Sequence, residues 1–300
     1  MADLDELKIE RVFVACHKGD FHLARICVAS IRYYYPSFRI TLVKDRQQGD
    51  FSTTETERSW NVDVLELKDA RFGLGFSKLE VLFLEEISRI LVVDADTIFV
   101  GGVIEHLESV DADVVVHQEY YPPGHAQLER NYFDLARLAK IDPSYTYPGF
   151  VFNTGAIAMR PGLLHRDDFE TVVDFQSTPR LRNPEVFKCA DQGVLNYVIS
   201  KKASAGEVEV GACEFMLWSG VTDQMEAIDL RRIKQKTDTS PILVHWAGRK
   251  PFFVSKMPRS DLLSFFEAYY YGGVFAGRLK RLLRSLFRRL SFYASKMGQK

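Results

Sequence analysis

No stretch of this chain approaches the roughly 20 uninterrupted apolar residues that cross a bilayer. Its opening, MADLDELKIE, is acidic rather than a basic segment leading into an apolar run. A membrane span and a secretory leader are therefore not expected, and the chain is expected to remain cytosolic. Cysteine is scarce, and Cys16, Cys27, Cys189 and Cys213 have neither the paired spacing of a zinc site nor the density of a disulfide-stapled domain. They read as reduced, mostly packing residues. Internal repeats and low-complexity tracts are also absent. Acidic residues are missing from one region: residues 274–300 hold eight Lys or Arg and no Asp or Glu, which leaves −9 for residues 1–273 out of a formal net charge of −1. The tail is a separate electrostatic object.

What is present suffices for a core. Of 300 residues 46% are hydrophobic, enough for one large α/β domain or one domain with a modest appendage. Short apolar runs alternate with helical patterns: RVFVACH, an amphipathic stretch from Phe21 to Tyr35, RITLVKD, VDVLELKD, a helix around Ser77 to Glu86, and RILVVDAD. That alternation indicates parallel β-α units. DVVVHQE, TGAIAMR and PILVHWA add strands, and His125 to Lys140, Leu163 to Phe175 and Gln192 to Ser200 add helices. Residues 46–59, 178–184, 200–207 and 231–240 read as loops. In an open α/β sheet, ligands bind beyond the carboxyl ends of the strands. Cys16-His17, Asp94-Ala95-Asp96 and His245 all lie where apolar strands run out, so these segments can meet in one cleft.

ILVVDADTIFV ends a buried strand in two carboxylates separated by one small residue. Alternation along an extended chain puts Asp94 and Asp96 on one side, with Ala95 leaving room for a ligand. A divalent cation relieves the repulsion of two such carboxylates and accepts phosphate oxygens at its open positions. Capping of a turn is the ordinary alternative, and haloacid-dehalogenase phosphatases also end an apolar strand in Asp-x-Asp, but early in the chain and with Thr or Val where Ile98 stands. PILVHWAGRKP supplies His245, Gly248 and Lys250: an imidazole suited to manganese-type ions, a glycine that lets backbone approach phosphate, and a mobile positive charge. Alone, His245 also fits an interior hydrogen-bonded histidine.

Read together, these segments resemble the retaining family-eight glycosyltransferases of GT-A fold, the group that contains glycogenin and bacterial lipopolysaccharide galactosyl- and glucosyltransferases. The likeness covers roughly residues 11–256, and its order of motifs is more specific than any one of them. It implies a single GT-A domain over 1–258, Rossmann-like with a mixed, mostly parallel sheet; the helical segment expected over 259–300 rests on the tail's own pattern. It implies further that Lys78 in FSKLEVL reaches the donor, that Asp94, Asp96 and His245 hold the metal, and that Asn153 of the Asn153-Thr154-Gly155 turn contacts the donor sugar. Asp191 and Gln192 in ADQGVLNYVI would then lie beside the anomeric carbon as the catalytic pair, with Gly248 and Lys250 on the diphosphate. Each of these residues alone also fits an ordinary role: Lys78 as a solvated helix lysine, Asn153 as a turn, Asp191 as a helix cap. Where the family carries an acidic-polar turn that holds uridine and ribose, this chain has CHKGDF, which makes Cys16, His17 and Asp20 the donor-binding candidates there. Asp20 substitutes for the acidic member.

The expected activity is transfer of a hexosyl group from a nucleotide-diphosphate sugar, with uridine as the base by resemblance, to a saccharide or glycolipid. The expected cofactor is Mn2+, with Mg2+ as the second choice. A metal-dependent phosphohydrolase or nucleotidyltransferase and a noncatalytic carbohydrate-binding relative are the alternatives. EYYPPGHAQLERNYF and DPSYTYPG form a Tyr- and Pro-rich region that fits either a sugar platform or a packed lid. From about residue 274 the tail reads as a helix with Phe275, Leu279, Leu286 and Tyr293 on one face and Arg281, Arg284, Arg288 and Lys296 on the other. A basic amphipathic helix of this kind suits the anionic, cytoplasmic face of a membrane, with docking on the catalytic domain as the alternative. Nucleic acid is not an expected partner, because the rest of the chain is acidic.

Overall fold

The computed structural model describes residues 8–67, 75–84, 88–176, 178–219 and 222–297. Glu86, the expected end of the second helix, and Asp69, in the third apolar run, lie outside the described residues, as do the side chains of Tyr293 and Lys296.

The core is a seven-stranded sheet in the order Val210–Ala212, Val114–Val116, Ala156–Met159, Arg89–Asp94, Ile9–His17, Arg39–Asp45, Asp63–Glu66. Ile9–His17 runs parallel to both of its neighbours, and Ala156–Met159 runs antiparallel to both of its own, so the sheet is mixed and mostly parallel. Alternation along the strands divides the core in two. Val12, Val14, Leu91 and Val93 face the first helix, whereas Phe13, Ala15, Ile90 and Val92 pack on the opposite side beneath Leu79 and Leu195.

The first helix, Phe21–Tyr34, reads as amphipathic but is buried on two faces. Ala24, Cys27 and Ile31 meet the sheet, while Leu23, Ile26 and Tyr33 meet the C-terminal helix Ser260–Gly272. That helix inserts Leu262, Phe266 and Tyr270 beside Val100, Val244 and Trp246. At ~1.5–3 kcal/mol for each fully buried large apolar side chain, this packing ties residues 260–272 into one core with strands that precede the expected 258/259 boundary.

Local expectations differ from the structure where tertiary pairing intervenes. The helix expected over 125–140 is two short ones, Ala126–Asn131 and Leu135–Ile141, because Phe133 bridges Phe187 and Asp134 starts a new helix by accepting from Arg137 N. The helix expected over 163–175 shortens to Arg166–Phe169 because Val173–Asp174 pairs with Arg180–Leu181. Thr54–Trp60 and Leu230–Lys234 are helices that overlap stretches reading as loops, and Asp191–Ser204 extends into another. The tail helix spans Gly277–Met297. Among the described residues, no helix is long and apolar enough to cross a membrane.

Candidate active site

The strand Arg89–Asp94 ends at Asp94, and Ala95-Asp96 form a turn rather than an extended continuation. The carboxylates therefore converge through a turn, not through strand alternation. Ala95 is buried in the core and leaves the ligand side to its neighbours. After the turn the chain enters a second, three-stranded sheet, where Thr97–Val100 pairs antiparallel with Ile242–His245. The register sets His245 opposite Thr97 and, on its other side, beside Trp218. Trp246 N donates to Asp96 O at 3.0 Å and Asp94 N to Gly155 O at 2.9 Å, which fixes the turn from both sheets. His245 Nε2 thus lies 3.4 Å from Asp96 Oδ1 and 3.8 Å from Asp94 Oδ2.

One donor atom from each of Asp94, Asp96 and His245 lies within 4.8 Å of the others. One ion with bonds of about 2.0–2.6 Å can be reached by all three. The mixed carboxylate and imidazole set suits a manganese-type cation. His245 is buried, and its Nδ1 has no hydrogen-bond partner, so the ring is held by packing and its charge partners rather than by a neutral hydrogen-bond network. Gly155 packs tightly against the ring, since a Cβ there would stand 2.2 Å from His245 Cε1. Burial opposes ionisation of Asp96, but His245 and then Lys250 outweigh it and hold its carboxyl well below the ordinary range. Lys250 is in ion-pair contact with Asp96 Oδ2. It follows Gly248, whose φ of 78° is the left-handed conformation that glycine adopts at least cost.

Lys78 has an unexpected place. It is 3% exposed, and its Nζ contacts Asp94 Oδ1 at 2.9 Å, Asp191 Oδ2 at 2.8 Å and Thr154 O at 3.0 Å. An ammonium has three donors, so all are spent on the protein. Burial works against its charge, yet Asp191 and Asp94 more than compensate and its pKa stays above the usual lysine value. Burial and then the Asp94 charge push the Asp191 carboxyl up, and Lys78 pulls against them. Thr154 Oγ1 adds a hydrogen bond to Asp191 Oδ2 at 2.8 Å. Lys78 therefore joins the carboxylate turn to the head of the helix Asp191–Ser204.

That helix starts from a strained turn: Cys189 and Ala190 both have positive φ, 50° and 49°, a conformation costing about 1–3 kcal/mol for residues other than glycine. Gln192 Nε2 donates to Asn131 O at 3.0 Å, which leaves its oxygen for the pocket. Asn196 clamps the helix to the strand before Asn153, its Nδ2 donating to Phe152 O and its Oδ1 accepting from Phe152 N, both at 2.8 Å. Asn153 Oδ1 is itself taken by Gly155 N at 2.8 Å.

Lys78, Asp94, Asp96, Asn153, Thr154, Asp191, Gln192, His245, Gly248 and Lys250 all line one pocket of about 630 Å³. The turn after the first strand does not join it. His17 and Asp20 line a second cavity of about 1030 Å³ that shares Gly248 and Lys250 with the first. Asp20 Oδ1 accepts from His17 N at 2.7 Å, and burial raises the Asp20 carboxyl to about 7. Cys16 turns its side chain into the core, and burial pushes its thiol well up; only its backbone is available to a ligand. The Tyr- and Pro-rich region brings Glu119, Tyr121 and Tyr132 to the pocket wall, whereas Trp218, also on that wall, was missed by sequence reasoning. Glu119 accepts from the hydroxyls of Tyr132 and Tyr121, the latter at 2.6 Å. The run QEYY carried a signal for this cluster; nothing near Trp218 in the sequence ties it to His245.

No protein-family model matches this sequence, and no curated protein matches it. Solved structures do resemble it in fold. The bifunctional glycosyltransferase WbbM in its apo form superposes with a TM-score of 0.56 at 14% identity, over 88% of this chain and 50% of that one. An active-site mutant of LgtC gives 0.54 at 13% identity, over 86% and 95%. The galactosyltransferase LgtC in complex with donor and acceptor sugar analogs gives 0.51 at 14%, over 88% and 96%. The chain thus spans half the length of WbbM and nearly all of LgtC. At such identities the likeness establishes the frame: an α/β, GT-A-type fold with a mixed, mostly parallel sheet.

Proposed function

We propose that this chain is a metal-dependent glycosyltransferase that moves a hexosyl group from a nucleotide-diphosphate sugar, with uridine as the base, to a saccharide or lipid-linked acceptor with retention of configuration. One observation carries the reading: on a frame shared with glycosyltransferases, a carboxylate turn, an Asn-Thr-Gly turn, the Asp191-Gln192 helix head and the His245 to Lys250 loop converge on one pocket.

Asp94, Asp96 and His245 would hold the divalent ion, Mn2+ before Mg2+, which when bound supplies Lewis-acid stabilisation of the departing diphosphate. Lys250, on a short exposed loop, can leave Asp96 for a phosphate oxygen and stabilise charge that grows as the anomeric carbon–phosphate bond breaks. Asp191, immobilised by Lys78 and Thr154, and Gln192, oriented by Asn131 O, are placed to orient the sugar. An amide is a poor nucleophile, so same-face attack fits Gln192 better than a covalent intermediate. Lys78 acts as a positioning residue. His17 and Asp20, in the adjoining cavity, are placed for the nucleoside. Incubation with a panel of nucleotide sugars and Mn2+ tests the reading: nucleoside diphosphate is expected from one donor and only with acceptor or slow hydrolysis. Release of phosphate from simple phosphomonoesters, or no turnover of any donor, would favour the phosphohydrolase or the noncatalytic reading.

The tail supports a place at the cytoplasmic membrane face. Its basic side packs on the body: Arg284 Nη1 meets Glu55 Oε1 at 2.6 Å, Lys280 meets Glu55 Oε2 at 3.1 Å, and Arg281 meets Glu267 Oε2 at 2.8 Å. Its apolar side is turned outward, with Leu282 57%, Phe287 72% and Leu290 66% exposed. This reverses the usual burial of an amphipathic helix and presents apolar area to lipid, flanked by Arg278 and Arg289. Full-length protein is expected to sediment with anionic vesicles, whereas Leu282→Glu/Leu286→Glu/Leu290→Glu should stay in the supernatant. Equal sedimentation of both proteins would remove the tail as the anchor.

A further inference from the structure

The larger cavity extends well beyond the residues given to a nucleoside. Its walls come from the first helix, the loop after His245, the helix Ser260–Gly272 and the tail helix, and seven Lys or Arg against three Asp or Glu face it. The excess is not evenly spread. Arg281 and Arg284 are neutralised by Glu267 and Glu55, but Arg25 and Arg288 have no carboxylate within ion-pair distance among the described residues.

Both guanidinium groups lie on aromatic faces, Arg25 over Phe21 at 4.4 Å and Arg288 over Phe252 at 5.9 Å. Arg25 Nε is buried without a hydrogen-bond partner. The two charges sense each other: burial lowers the Arg288 pKa and Arg25 pushes the same way, against Glu267 and Tyr271. His22 lines the same cavity and is driven down to about 3 by burial, then by Arg288 and Arg25. It stays neutral and can share a hydrogen bond. Two partly desolvated, stacked arginines with unspent N–H groups and a neutral imidazole form a receptor for a tetrahedral oxyanion, since a guanidinium fork matches phosphate oxygens bidentately.

We propose that Arg25 and Arg288 form a phosphate-binding subsite, distinct from the diphosphate position at Lys250 and open to a phosphate monoester or diester. The tail helix supplies one half of it and on its opposite side carries the outward Leu282 and Leu290, so a lipid headgroup and a soluble phosphate are both sources of this chemistry. The subsite does not depend on glycosyl transfer, and it can be tested without metal or donor.

The full chain in excess chelator is titrated by calorimetry with inorganic phosphate and, separately, with dihexanoyl phosphatidic acid below its micelle concentration. Saturable binding of phosphate is expected, weakened at least tenfold by Arg25→Gln and by Arg288→Gln, and no more than threefold by Arg288→Lys. Lys250→Ala should leave it within twofold. Binding of the short-chain lipid at least tenfold tighter than phosphate identifies a headgroup site; equal affinities identify a soluble phosphate. Absence of saturable binding, or binding lost in Lys250→Ala and retained in both Gln variants, overturns the proposal. Thermal unfolding of each variant without ligand keeps a misfolded protein from counting as a loss of binding.

Discussion

Lys78→Met is expected to lower the free energy of unfolding by about 3–5 kcal/mol at neutral pH, the cost of breaking a buried charge network by removing one member. Two carboxylates, Asp94 and Asp191, depend on that ammonium, and Asp191 is almost wholly buried. Against a total stability of about 5–15 kcal/mol, the variant should be visibly fragile. The loss has a defined pH dependence. Burial and the Asp94 charge already hold the Asp191 carboxyl above its ordinary value against the pull of Lys78, and removing Lys78 raises it further. The folded state then binds more protons than the unfolded one, so the deficit grows as pH rises from the carboxylate range and shrinks as pH falls toward it. Urea melts of both proteins at pH 5 and pH 8 measure this. A deficit under about 1 kcal/mol at pH 8, or one larger at pH 5, would mean that Lys78 is not what reconciles the two carboxylates. Lys78→Met/Asp191→Asn should recover part of the stability and none of the turnover.

Turnover is expected to fall by at least about a hundredfold in Asp94→Ala, Asp96→Ala and His245→Ala, and in the unaltered protein with excess chelator. A bound cation supplies several kcal/mol of transition-state stabilisation, and each 1.36 kcal/mol is tenfold in rate. Gly155→Ala should reach a similar loss without touching any ligand, because the added methyl would stand 2.2 Å from His245 Cε1 and must displace the ring. Titration with Mn2+, followed by paramagnetic relaxation of water, separates the cases: all four variants should bind the ion more weakly, whereas Gln192→Ala should bind it normally. Normal Mn2+ affinity in Gly155→Ala would show that the imidazole is not a ligand.

The sequence made one half of this site legible and concealed the other. Asp94, Asp96 and His245 end apolar runs, and chain direction alone says that strand ends in such sheets gather at one edge. What brings His245 to the carboxylates is its antiparallel register opposite Thr97, a pairing across about half of the chain that no local pattern encodes. Lys78 sits in a segment that reads as a helix, and a lone lysine there looks solvated; its burial follows from Thr154 and Asp191, 76 and 113 residues away. Thr54–Trp60 read as a loop because only Thr56 is buried, so no apolar period exists to betray the helix. The break at Phe133 has the opposite origin: the local pattern is helical, and the bridge to Phe187 overrides it. The tail's two faces were visible, but not which of them the body would take, since that depends on Glu55 and Glu267 being placed beneath it.

The contact between Lys250 and Asp96 makes occupancy of the site conditional. One ammonium cannot serve Asp96 and a diphosphate at once, so a diphosphate that draws Lys250 away exposes a carboxylate oxygen, and a cation that takes that oxygen releases Lys250. On the proposed function, each ligand would therefore raise the affinity for the other by the same factor, a reciprocity that thermodynamics imposes and that commonly amounts to about 1–3 kcal/mol. Where the metal is scarce, the protein would be loaded chiefly when donor is abundant, a coincidence requirement set by a single flexible side chain.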